Sequence, residues 1–67
     1  MKIRLNNRDE EINRNSLTVS ELLEYKKYTF RLRTVKVNGI YIHPEMYDKT
    51  VISEGDDVQV IYLMSGG

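Results

Sequence analysis

Sixty-seven residues make one domain, and a chain this short is only marginally able to bury a core. With no cysteine and one histidine, neither a disulfide nor a Cys/His zinc site is available, so packing of the 40% hydrophobic content must hold the fold. Ten Lys+Arg against ten Asp+Glu give a formal net charge of zero, which removes the composition-level case for nucleic-acid binding, and no apolar run reaches signal-peptide or membrane-span length.

Met1 to Leu5 alternates, with Met1, Ile3 and Leu5 on one side and Lys2 and Arg4 on the other, which predicts a half-buried strand. Asn6-Asn7 tolerates the left-handed backbone of a tight hairpin turn, and Arg8 to Asn13, whose one apolar residue is Ile12, predicts a short returning strand. In Leu17-Thr18-Val19-Ser20-Glu21-Leu22-Leu23 the Thr18 hydroxyl can cap a helix, Glu21 can reach back to the Thr18 amide, and Leu17 and Leu22 occupy the staple positions. Val19, Leu22 and Leu23 then share the inward stripe. Lys26 and Lys27 suit the negative end of the helix dipole, and no glycine marks its stop near Tyr28.

Thr34 to Val37 resumes strand character, Asn38-Gly39 is a strong hairpin turn signal, and Ile40 to Ile42 returns until Pro44. Glu45 to Ser53 reads as a connection with a short turn, anchored by Met46, Tyr47, Val51 and Ile52. Glu54 to Asp57 is a turn, and Val58 to Met64 the last strand, with Val58, Val60 and Tyr62 on one face and Gln59, Ile61 and Leu63 on the other. One helix over a small mixed sheet is an α+β arrangement, and a β-grasp with the first and last strands side by side at its centre is the preferred assembly.

A catalytic reading fails early: His43 has no cysteine to activate and no nucleophile–base–orienter set around it, so a solvent-facing loop imidazole is expected. Glu54, Asp56 and Asp57 lack calcium-loop spacing and read as a solvated turn. Lys26, Lys27, Arg31, Arg33 and Lys36 near Tyr28 and Phe30 read as part of a mixed charged surface. No glycine-rich phosphate loop exists. The remaining candidate is the ending, Leu63-Met64-Ser65-Gly66-Gly67. Two glycines pack nothing and cost the most entropy to order, which suits a tail gripped in extended form in a narrow slot. Ile61 and Leu63, on the face that the helix leaves open, would then dock a partner.

The stretches MKIRLN, LTVSELL, VKVNGIYIHPEMY and EGDDVQVIYLMSGG, in this order and spacing, resemble the ThiS family of small sulfur carrier proteins of thiamine biosynthesis over essentially the whole chain. The resemblance implies a ubiquitin-like β-grasp over residues 1–64 and a flexible tail over residues 65–67. It implies a carrier and not an enzyme: a ThiF-like adenylyltransferase uses ATP to adenylate Gly67, the adenylate becomes a thiocarboxylate, and the sulfur goes to the thiazole on a ThiG-like synthase. No cofactor is bound by the carrier itself. Gly66 and Ser65 would thread with Gly67 into the partner sites. Ser65 stands where a glycine or alanine is usual, Asn6-Asn7 where Asn-Gly is typical, and the segment 26–30 lacks the glycine that often ends the family's helix. A cytoplasmic protein with no nucleic-acid or membrane partner is expected. The alternatives are a molybdopterin-type sulfur carrier, a ubiquitin-like protein modifier, and a β-grasp interaction domain with an accidental Gly-Gly ending.

Overall fold

The computed structural model describes residues 1–28 and 33–62. β1 (Lys2–Leu5) and β2 (Arg8–Glu11) form an antiparallel hairpin, with Lys2 opposite Glu11 and Leu5 opposite Arg8. The two-residue loop between them has Asn6 at φ 51 and Asn7 at φ 66, the pair of positive angles that a type I′ turn requires. Ile3 and Leu5 are buried and Lys2 and Arg4 exposed, as the alternation predicts. Ile12 follows β2 directly and is fully buried, its amide donating to the Met1 carbonyl at 2.8 Å.

β3 (Leu17–Thr18) runs into α1 (Val19–Tyr25). The capping box is present in both directions: the Glu21 amide donates to Thr18 Oγ1 at 3.1 Å, and the Thr18 amide donates to Glu21 Oε1 at 2.8 Å. Val19, Leu22 and Leu23 are the buried stripe. The helix stops without a glycine because Lys27 itself takes the left-handed conformation, at φ 58. The Tyr28 amide then donates to the Leu23 carbonyl at 2.8 Å and the Lys27 amide to the Glu24 carbonyl at 3.0 Å, the two bonds of a Schellman motif. Lys26 and Lys27 thus lie past the last turn, and the Lys26 ammonium pairs with Glu10 of β2 at 3.2 Å.

β4 (Arg33–Val37) and β5 (Ile40–Ile42) form the second hairpin, turning at Asn38, φ 53, and Gly39, φ 83. A 3-10 turn, Pro44–Met46, leads to β6 (Val51–Ile52), and β7 (Asp57–Tyr62) completes the sheet. Among the described residues, one sheet has five strands in the order β2-β1-β7-β4-β5, with β7 parallel to β1 and antiparallel to β4. A second, two-stranded sheet pairs β3 with β6, Leu17 opposite Ile52 and Thr18 opposite Val51.

The core lies between α1 and the larger sheet. It joins Ile3, Leu5, Ile12, Leu17, Val19, Leu22, Leu23, Val35, Val37, Tyr47, Ile52, Val58 and Val60. Of the four anchors expected in the 45–53 connection, Tyr47 and Ile52 are buried, whereas Met46 and Val51 are exposed. For Val51 the reason is the unforeseen β3–β6 pair: alternation in β6 turns Ile52 inward and therefore Val51 outward. Met46 lies on the 3-10 turn, which has no buried residue. Asp57, expected in the turn, opens β7, and the continuation of that strand to Leu63 and Met64 lies outside the described residues.

Candidate functional site

β7 is the central strand of the larger sheet, flanked by β1 and β4, and it leads directly to residues 63–67. Its alternation is clean: Val58 and Val60 are buried under α1, and Gln59 and Ile61 turn to the opposite, outer face. Ile61 keeps 43% of its surface open to solvent. Directly across on β4 is Thr34; one step along the same face, Lys36 stands between Gln59 of β7 and Tyr41 of β5. The Tyr41 ring meets His43 edge-on, with centroids 4.6 Å apart. Ile61 therefore belongs to a face of mixed polarity. Tyr62 follows the inward parity of Val60 but is exposed, because the packed core ends at Val60.

Side-chain hydrogen bonds tie this strand at both ends. At its start, the Asp57 amide donates to Asn38 Oδ1 at 2.9 Å, and Asn38 Nδ2 donates to Asp56 Oδ1 at 3.1 Å. Asp56 Oδ2 accepts from the Ser53 amide and Glu54 Oε1 from the Lys2 amide, each at 2.9 Å. These two carboxylates serve the turn, in which Gly55 takes φ 85, and do not converge on a common point. Towards the other end, Asn6 Oδ1 accepts from the Val60 amide at 2.8 Å. The sequence treats Asn6 as a turn residue alone. Its second role was detectable only as an asparagine at the end of a strand destined for the sheet centre.

Among the described residues, no group of three or more His, Cys, Asp or Glu side chains stands together. His43 is exposed in its loop with Tyr41 as its ring neighbour. Among the described residues, the basic side chains do not form one strip: Lys26 pairs with Glu10, and the Arg33 guanidinium lies over the Tyr47 ring at 5.4 Å from its centroid. Arg31 and Phe30 lie outside the described residues, as do the candidate site residues Leu63, Ser65, Gly66 and Gly67.

A family model described as the ThiS family matches residues 3–67. The chain belongs to the ThiS family. A crystal structure of the thiamine biosynthesis protein ThiS from Geobacter metallireducens is similar at 33% identity, with all of both chains covered and a TM-score of 0.90. An NMR solution structure of a thiamine biosynthesis protein from the same organism is 31% identical, covering all of this chain and 88% of that one, at a TM-score of 0.78. No curated protein matches the chain. The five-stranded mixed sheet with its one helix is accordingly the ubiquitin-like β-grasp of ThiS proteins, an α+β fold. The ThiS match extends through the diglycine, so the tail falls within the family's own pattern. Among the described residues, no helix is long and apolar enough to cross a membrane.

Proposed function

We propose that this chain is a sulfur carrier for thiamine thiazole synthesis and that the Gly67 carboxylate is its reacting group. The observation that carries this reading is the family match, which runs from residue 3 through residue 67. A ThiF-like adenylyltransferase binds ATP, an oxygen of the Gly67 carboxylate attacks the α-phosphorus, and pyrophosphate leaves. Hydrosulfide, or a sulfur nucleophile equivalent to it, attacks the acyl carbon. The C–O bond to AMP breaks, AMP departs with the electron pair, a proton goes to solvent, and a thiocarboxylate remains. Its sulfur passes to the thiazole on a ThiG-like synthase. The chain supplies no catalytic group; it is the carrier, working in the cytoplasm, and ATP is the partner's substrate.

The residues suit these roles. Gly66 and Gly67 have no side chain to obstruct a narrow slot, and Ser65 is small enough to thread with them as a three-residue tail beyond a domain of residues 1–64. Exposed Ile61, on the outer face of β7, is proposed with Leu63 as the contact that docks the adenylyltransferase.

The test is intact mass after incubation with ATP, a ThiF-like enzyme active on its own carrier, and sulfide. Exchange of one carboxylate oxygen for sulfur adds about 16 Da, as does oxidation of a methionine, so fragmentation must assign the shift to Gly67. The wild type is expected to carry the shift there, and a chain lacking Gly67 to carry none while its melting curve is unchanged. An equal shift in the truncated chain overturns the assignment.

A further inference from the structure

β1 pairs with β7 only as far as Leu5 and Val58, yet its hold on β7 extends one rung further. In a parallel ladder a residue donates its amide to one residue of the neighbouring strand and accepts from the amide two positions further on. Asn6 makes the first bond with its backbone, donating to the Val58 carbonyl at 2.9 Å. It has already entered the hairpin turn, at φ 51, where the course of its backbone departs from the strand. The acceptor for Val60 is instead the Asn6 side-chain oxygen, at 2.8 Å. One asparagine thus turns the chain and supplies a substitute carbonyl to the central strand.

We propose that Asn6 is a positioning residue for the C-terminal tail, acting through Val60, and this rests on the carrier reading above. Val60 precedes Ile61 and Tyr62, whose sheet partners are Thr34 and Arg33 on the β4 side. Asn6 is what fixes the β1 side of the strand at the point where it delivers its docking residue and its tail. A partly buried amide that loses its acceptor is poorly compensated by water, so the strand end loosens without the bond. A tail that leaves from a fixed point enters a partner site with less freedom to lose.

Three variants separate the side chain's two tasks. Asn6→Gly keeps the positive φ and removes the acceptor; Asn6→Asp keeps both; Ile12→Val lowers core stability at a residue whose amide bonds to Met1 rather than to β7. Two readouts are compared: amide hydrogen exchange at Val60 in the free protein, and kcat/KM for ATP-dependent adenylation with a ThiF-like enzyme. Asn6→Gly is expected to speed Val60 exchange and lower kcat/KM, each about five-fold, the worth of one hydrogen bond. Asn6→Asp should restore both. Unchanged exchange in Asn6→Gly overturns the clamp. Faster exchange with unchanged kcat/KM overturns the role in tail delivery, as does an equal loss of kcat/KM in Ile12→Val, which assigns the effect to stability. A wild type that is not adenylated overturns the carrier reading and the tail role with it, whereas the exchange result still tests the bond.

Discussion

Among the described residues, four non-glycine residues have positive φ: Asn6, Asn7, Lys27 and Asn38. The asparagines stand in hairpin turns where their short polar side chain eases the left-handed backbone. Lys27 has no such help, and it carries the Schellman turn only because the Tyr28 and Lys27 amide bonds and the half-buried Tyr28 ring hold it there. Lys27→Gly is therefore expected to raise stability by up to about 1 kcal/mol, read as a higher urea midpoint at unchanged slope. At the other end of the helix, the Thr18 amide first, and the Arg14 guanidinium with it, hold the Glu21 carboxyl below its ordinary range. A carboxylate depressed in the folded state contributes stability that is complete above its unfolded pKa and disappears as pH falls through the folded one. Glu21→Gln, which keeps an oxygen acceptor without the charge, should flatten that part of the acid limb of a stability-versus-pH curve. An unchanged acid limb would show that Glu21 contributes nothing to it.

The irregular stretch between β5 and β6 completes the helix that precedes it in the chain. The first amides of α1 have no partner within the helix. Here the Val19 amide donates to the Thr50 carbonyl at 2.9 Å, the Ser20 amide to the Tyr47 carbonyl at 3.1 Å, and the Glu21 amide to Thr18. The Ser20 hydroxyl also bonds Asp48, and Tyr47 itself is buried in the core. Only the Thr18–Glu21 part of this arrangement was legible in the sequence, because its partners are three residues apart. The Thr50 and Tyr47 carbonyls are backbone atoms of a distant segment, and backbone atoms leave no mark in composition. The same limit explains Val51. It is apolar and was expected inside, but which of the two neighbours in β6, Val51 or Ile52, turns inward depends on their pairing with Thr18 and Leu17. Ile12→Ala should accordingly cost about 2–4 kcal/mol, against under about 0.5 kcal/mol for Val51→Ala, in paired denaturant titrations.

At the scale of the molecule, the sheet order places β7 at the centre, where burial on the helix side and pairing on both flanks make it the firmest base for a terminal tail. Its outer face is free of the core, so function can occupy Ile61 without disturbing the packing of Val58 and Val60. Ile61→Asp is expected to weaken binding to a ThiF-like enzyme by at least about ten-fold while moving the melting temperature by no more than about 3 °C. An unchanged dissociation constant in a direct titration removes Ile61 from the docking face. Ten basic against ten acidic residues leave no net charge to steer such an encounter, so on the carrier reading its specificity is expected to rest on local contacts of this kind.

Local devices were legible in the residues alone: the tight turn at Asn6-Asn7, the Asn38-Gly39 hairpin, the capping box, the inward stripe of α1 and the alternation of β7. Each depends on residues within a few positions of one another, where spacing and side-chain chemistry act directly. The sequence also carried, by its resemblance to ThiS proteins, the family to which the chain belongs. Tertiary structure alone decided the β3–β6 pair, the exposure of Val51, the left-handed stop at Lys27 and the reach of Asn6 to Val60. The first two come from strand register, the Lys27 stop from the packing of the Tyr28 ring against the core, and the last from a bond between residues far apart in the chain. All of these are specified only when the elements assemble around a common core.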